Sequence, residues 1–366
     1  MAEVTRPRDQ AAEIAGRLVA GVQRIAVLRA NAIGDFIFGL PALAALRAAY
    51  PQAEIVLFGQ PWHARFLDGR PGPLDRVVPV PPLPGIYLED GVQEDPAASE
   101  AFFDHWRRAG FDLALQMHGG GRHSNPFVLR LGARLSAGPR TPDAAPLDRC
   151  IPYIYFQPEV MRLLEVVGLV GALPLALDPA LALTAADLDE ACRLVPDDGR
   201  PLAVLHPGAG DPRRRWPPER FAAVGDALAA AGARVAVIGA SEEAALVRLV
   251  IERMRRPALD LFARLSLGGL AGLLSRCRVV VSNDSGPLHL AGAVGAPTVG
   301  VYWCGNLVTA GPLSAARRRA AIAWRVHCPQ CGANILHADC GHALSFVADV
   351  PLPAVLEPAL ELFYAA

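Results

Sequence analysis

The chain has 366 residues, more than one hydrophobic core organises comfortably, so two domains are expected. Hydrophobic residues make up 52% and charged residues 19%, which excludes global disorder and allows a large buried core. A formal net charge of −1 gives no electrostatic ground for nucleic-acid binding, and no apolar run reaches the about 18 residues of a membrane-spanning helix.

The N-terminus, "MAEVTRPRDQAAEIAGRLVAGV", carries charges throughout and lacks the apolar centre of a secretory signal. It reads as a helical extension over residues 1–23. "RIAVLRA" (24–30) reads as the first strand, and "PALAALRAAYP" (41–51) as a helix closed by proline. Between them "NAIGD" has a single glycine, Gly34, read as a tight bend, followed by Asp35. A carboxylate is a poor host for phosphate, so this loop is not expected to be a phosphate cradle. Strands are expected at 53–59, 76–80 and 111–119, and the proline-rich, acidic stretch 81–100 as a surface loop. "QMHGGGRHSNP" (116–126) reads as a loop lining a sugar or acceptor site, or as a plain turn. Helical spacing over 157–171 leads into a proline-broken linker. These elements make up a first domain over 24–175.

A second domain, 176–350, repeats the strand-then-glycine-loop arrangement in "PLAVLHPGAG" (201–210). A helix over 218–233 follows, then a strand at 234–240, a helix within 259–277, and strands at 278–286 and 297–303. A last helix is expected over 351–366. Short β-rich runs between helices imply parallel strands with right-handed crossovers, hence two doubly wound α/β halves with a site at the cleft beyond the strand C-termini.

Two loops of the second half suit an anion. In "SNDSGPLHLAGAVGAP" (282–297) a helix is expected to begin near Pro287, whose missing N–H costs nothing in a first turn. Ser285 and Gly286 then fall at the N-cap, where free N–H groups and the helix dipole make a phosphate site. Gly286 lets a phosphate approach the backbone, Asp284 can accept hydrogen bonds from a ribose or base, and His289 lies one turn in. The plainer reading is a helix capped by Asp284 or Ser285. In "HPGAGDPRRRWPPERF" (206–221), Pro207, Gly208 and Gly210 make a tight turn and Arg213, Arg214 and Arg215 precede Trp216. Arginine forks onto two phosphate oxygens. The plainer reading is a solvated basic run with Trp216 packing a helix start.

"RANAIGDFIFGLPALAALRAAYPQAEIVLF", "HPGAGDPRRRWPPERF" and "SNDSGPLHLAGAVGAPTVGVY" resemble, in order and spacing, the signature regions of glycosyltransferase family 9, the ADP-heptose:lipopolysaccharide heptosyltransferases. The resemblance runs from about residue 24 to 350. It implies a GT-B fold, with two Rossmann-like domains, acceptor mainly on the first and sugar nucleotide on the second. It implies inverting transfer without a catalytic metal. Asp35 matches the family's base, next to Gly34. Asp284 matches the acid that contacts the nucleotide, Ser285 and Gly286 the positions that hold the diphosphate, and His289 the block's histidine. Gly34, Gly208 and Arg214 are expected to complete the substrate-binding set. Arg214 stands where family members carry a phosphate-binding lysine, which keeps the charge and changes the donor geometry. The implied partners are a nucleotide-sugar donor, expected to be ADP-heptose, and a glycolipid acceptor such as lipopolysaccharide core, with a protein acceptor as the alternative.

The chain has seven cysteines. Cys150, Cys192, Cys277 and Cys304 are scattered and read as buried free thiols. "HCPQCGANILHADCGH" (327–342) clusters the rest. Cys328 and Cys331 have the spacing of a metal knuckle, Cys340 offers a third ligand, and His342, His337 or His327 a fourth. A structural zinc or iron is expected there, and the alternative is a reduced thiol cluster. Some protein-glycosylating members of the family resemble this in carrying a cysteine-bound metal near the C-terminus. An odd cysteine total without a secretory signal points to the cytoplasm, with a peripheral contact at the inner membrane face still compatible. Nothing in the sequence fixes an oligomeric state. The competing readings are a GT-B-like sugar-nucleotide epimerase, which needs no acceptor pocket, and a non-catalytic nucleotide-binding member, against which the presence of Asp35 counts.

Overall fold

The structure, a computed structural model, describes residues 17–88, 91–336 and 340–365. The N-terminal helix expected over 1–23 lies largely outside the described residues, and 17–23 form no helix. Contacts divide the chain between Pro179 and Ala180 into two compact units.

The N-terminal unit carries β1 (Arg24–Leu28), β2 (Glu54–Gly59), β3 (Arg76–Pro79), β4 (Leu113–Gln116), β5 (Leu135–Arg140) and β6 (Arg149–Pro152). They form one sheet in the order β3-β2-β1-β4-β5-β6, all parallel. The C-terminal unit carries β7 (Leu202–His206), β8 (Arg234–Val237), β9 (Leu259–Asp260), β10 (Cys277–Asn283), β11 (Thr298–Trp303) and β12 (Arg318–Ala323). Their order is β12-β11-β10-β7-β8-β9, again all parallel. Counted within each unit, the two orders are the same doubly wound pattern. Strand order reverses between β1 and β4 in one sheet and between β7 and β10 in the other, the switch points where open α/β sheets bind ligands.

Helices cover both faces of each sheet, so the central strands are buried on both sides and read as near-continuous apolar runs. Phe58, Phe103, Phe111 and Phe127 fill one face of the first sheet. Trp216, Phe221 and Val279 belong to the main core of the second. The C-terminal helix, Pro353–Ala365, joins that core through Val355, Ala359, Leu362 and Phe363. Each buried valine, leucine or phenylalanine among them contributes about 1.5–3 kcal/mol.

Two expectations need correction. The helix expected to begin at Pro41 spans Ile33–Ala49 and holds Pro41 inside it. Gly34 is therefore the second residue of a helix, not a bend, and Asp35 lies in its first turn. Buried Phe36, Ile37 and Leu40 draw this extra length onto the sheet. The loop expected over 81–100 gives way at Pro96 to a helix, Pro96–Arg108, whose first N–H groups are capped by the Asp95 side chain. The glycine-rich stretch 116–126 is a packed turn into the helix Ser124–Arg130. There Ser124 Oγ donates to the His118 carbonyl, and a Cβ on Gly121 would meet the Asn125 amide at 2.7 Å.

Candidate functional site

The loops after β7 and β10 meet at the switch point of the C-terminal sheet. Asn283, fully buried, ties them together: its Nδ2 donates to the Pro207 carbonyl at 2.7 Å and its Oδ1 accepts from the Trp216 N–H at 3.0 Å. Ser285 is the N-cap of the helix Gly286–Ala293, as its position before Gly286 and Pro287 leads one to expect. Neither Ser285 nor Asp284 caps that helix with its side chain. Ser285 Oγ turns to His206 Nδ1 at 3.1 Å and donates to the Asn283 carbonyl at 3.1 Å. The helix N-terminus therefore keeps an acceptor-seeking end at the mouth of the sheet.

Asp284 does not present free oxygens to a ribose. It is buried, its Oδ2 accepts from Arg214 Nη1 at 3.1 Å, and its Oδ1 meets His289 Nε2 at 3.0 Å. The acid thus holds a guanidinium and an imidazole in place beside the helix N-terminus. Among the three arginines, Arg213 is engaged by Asp211 at 2.9 Å and Arg215 donates to the Ala209 carbonyl at 2.8 Å. Arg214 alone of the three reaches Asp284, with its side chain about a quarter exposed. Burial works against the charge of Asp211, yet the Arg213 side chain and N–H hold its carboxyl below the usual range.

Sequence reasoning missed the layer beneath Ser285. His206, the last residue of β7, places Nδ1 3.1 Å from Ser282 Oγ and Nε2 3.2 Å from Glu243 Oε2. Burial raises the Glu243 carboxyl, but His206 and the Ala240 N–H outweigh it and keep the group ionised below the usual glutamate range. An ionised Glu243 calls for a proton on Nε2, and Nδ1 is then free to accept from a serine hydroxyl. Gly208 belongs to this layer. A Cβ there would fall 1.8 Å from Glu243 Oε1, so the glycine makes room for the carboxylate. A strand ending in histidine directly before Pro-Gly was the available signal.

In the N-terminal unit, Asp35 presents a half-exposed carboxylate, 45% accessible, in the first turn after β1. Arg29, buried at the end of β1, braces it. Its Nε and Nη2 donate to the Asp35 carbonyl at 3.0 and 2.6 Å, and Nη2 stands 3.8 Å from Asp35 Oδ1. Glu159 accepts from Arg29 Nη1 at 2.8 Å and also pairs with Arg162. The signal for this brace was an arginine closing an apolar strand.

The cysteine cluster folds as its spacing suggests. Cys328, Cys331, Cys340 and His342 bring their ligand atoms within 4.8 Å of one another. Gly332 and Gly341, both left-handed at φ 72 and 71, turn the chain just after Cys331 and between Cys340 and His342. The Cys331 and Gln330 N–H groups lower the Cys328 thiol to about 6. Three sulfurs and one imidazole nitrogen in this arrangement match a tetrahedral zinc or an iron. His342 is the histidine brought into the set, His327 is not, and His337 lies outside the described residues.

A sequence profile described as glycosyltransferase family 9 (heptosyltransferase) matches residues 101–331. Lipooligosaccharide heptosyltransferase 2 of Haemophilus influenzae is 32% identical over 108 residues, which are 28% of this chain and 31% of that protein. The match thus spans less than a third of that relative's length. Among solved structures, the ADP-heptose lipopolysaccharide heptosyltransferase II of Escherichia coli superposes with a TM-score of 0.72 at 20% identity, over 94% of this chain and 99% of that one. The dodecameric iron-containing heptosyltransferase TibC, from enterotoxigenic E. coli, superposes with a TM-score of 0.54 at 10% identity, over 95% and 78%. These likenesses carry the GT-B fold. With the profile match over more than half of its length, the chain belongs to glycosyltransferase family 9.

Proposed function

We propose that the protein is an inverting glycosyltransferase that moves a heptosyl group from ADP-heptose to a hydroxyl of a lipopolysaccharide-core glycolipid. The observation that carries the reading is the C-terminal switch point. A helix N-terminus whose N-cap, Ser285, makes no side-chain capping bond stands beside Arg214, which Asp284 orients. This pairs a dipole with a forked cation, the chemistry that holds a diphosphate.

In the proposed reaction Asp35 takes the proton of the acceptor hydroxyl. That oxygen attacks the anomeric carbon from the face opposite the leaving group, the bond from carbon to diphosphate oxygen breaks, and ADP departs with the electron pair. Arg214 and the N-terminus of Gly286–Ala293 meet the charge that develops on the diphosphate. Asp284, itself held by His289, fixes Arg214, and Ser285 and Gly286 form the floor on which the phosphates rest. Arg29 holds the first turn so that the Asp35 carboxylate stays at its station. Cys328, Cys331, Cys340 and His342 would hold a zinc or iron as a structural cross-link.

Among the described residues no helix is long and apolar enough to cross a membrane. For a glycolipid acceptor, the exposed Ile154, Tyr155 and Phe156 offer an apolar contact. A protein side chain is the second acceptor reading, favoured by the cysteine cluster. The test is ADP release from ADP-heptose with heptose-deficient core glycolipid or protein as acceptor. Release that depends on core glycolipid and on Asp35 supports the reading. Release that depends only on protein favours the second acceptor, and preference for a donor with another base overturns the ADP-heptose assignment.

A further inference from the structure

We infer that Ser345 and Phe346, the strap that leaves the cysteine cluster, position the arginine loop, so that closure of the cluster sets the affinity for a nucleoside diphosphate. The inference rests on the donor reading of Arg214 given above.

The loop around Arg214 has little regular structure of its own, only the single turn Pro212–Arg214. Its backbone is fixed from outside. The Phe346 N–H donates to the Arg213 carbonyl at 2.6 Å, and Ser345 Oγ donates to the Arg215 carbonyl at 2.7 Å. These two bonds bracket Arg214. The Phe346 ring also lies under the Arg213 guanidinium, 5.1 Å from its centre. Farther along, Ala348 and Val350 accept from Arg220 Nη1 and Trp216 Nε1 at 2.7 and 2.9 Å. The strap therefore runs the length of the loop.

At its other side the strap belongs to the cluster. Phe346 is buried in a small core with Cys328 and Ile335, against Trp303 and Cys340. Its ring meets Trp303 at 5.2 Å between centroids, and Trp303 Nε1 donates to the Arg325 carbonyl at 2.6 Å. A core of three buried residues is too small to hold its shape by apolar burial alone. An ion bound by Cys328, Cys331, Cys340 and His342 would supply the missing cross-link. The same ring that closes over the ligands thus touches the loop that carries Arg214.

The test is a set of ADP titrations by calorimetry on the full chain. Ser345→Ala removes one of the two bracketing bonds. Cys331→Ser removes an exposed ligand without opening a core. Each is expected to weaken ADP binding about tenfold while the main thermal transition holds. In an Arg214→Ala background the same changes are expected to have less than about a twofold effect, because the group they position is gone. If Arg214→Ala weakens ADP while Ser345→Ala and Cys331→Ser do not, or if their losses add in full, the strap is overturned alone. If Arg214→Ala leaves ADP affinity unchanged, the donor reading falls and the strap with it.

Discussion

Asp35 and Gly208 carry the clearest consequences at the scale of single residues. Asp35→Ala removes the proposed base and leaves every hydrogen bond of Ser285, Arg214 and Asp284 in place. Transfer should fall by at least about 100-fold, with ADP affinity unchanged by calorimetry. Turnover near that of the native enzyme would remove the base assignment. Gly208→Ala puts a methyl group 1.8 Å from Glu243 Oε1. The carboxylate must leave His206, at a cost of about 1–3 kcal/mol in urea unfolding and with weaker ADP binding. Adding Glu243→Ala should restore part of the lost stability; a double variant no more stable than Gly208→Ala would show that the clash is not the cause. Gly208 stood out in the sequence as a turn glycine of a phosphate loop. Its partner Glu243 belongs to the loop after another strand, and only the sheet order brings them together. Asp284 shows the same limit. Its position at the end of a strand was legible, but not that Arg214 and His289 had already taken its two oxygens.

At the scale of elements, the central strands were readable because both faces are buried, which leaves runs such as "RIAVL" and "PLAVL" without polar interruption. The missed strands lack that mark. β9 has only two residues, β5, inside its sheet, is "LSAGPR" with a glycine and a proline interrupting it, β6 is "RCIP" and β12 opens with two arginines. β3, β6, β9 and β12 lie at sheet edges, where one side is left unpaired and polar residues are tolerated. The helix Ile33–Ala49 was cut short in the reading by Pro41, which its packing overrides. The cysteine cluster was legible from spacing alone, since Cys-x-x-Cys with a following glycine dictates its own turn. The full chain should carry about one zinc or iron per molecule by elemental analysis. Cys340→Ser should lose it, with little change in the melting of the sheets, which pack elsewhere. Retention of the metal in Cys340→Ser would remove Cys340 from the ligand set.

At the scale of the whole molecule, the two units repeat one sheet order, yet their buried charges differ. The N-terminal unit encloses Arg29 together with two histidines. Burial first, and the Arg29 charge in addition, lower His63 to about 3 and His118 to about 4. His63 Nδ1 accepts the Gln60 N–H at 2.9 Å and His118 Nδ1 accepts the Ala30 N–H at 3.2 Å, so both rings are built in as neutral acceptors. The unfolded chain protonates histidine near pH 6.5. Between that pH and the folded values the unfolded state binds more protons, so stability is full above about pH 6.5 and falls as the solution is acidified. By pH 5 each histidine removes about 2 kcal/mol. In the C-terminal unit Asp211 and Glu243, like the exposed Asp198, are held below their ordinary values. Their contribution is present above the usual carboxylate range and is lost only as pH falls below about 4. The N-terminal unit should therefore loosen first between pH 7 and pH 5. Amide exchange read by mass spectrometry resolves the two units: peptides from β1, β2 and β4 should lose protection at pH 5, after correction for the intrinsic rate, while those from β7 and β10 keep theirs. The combined His63→Gln and His118→Gln variant should flatten that difference, and equal loss in both units of the native chain would show that the buried histidines do not govern its response to acid.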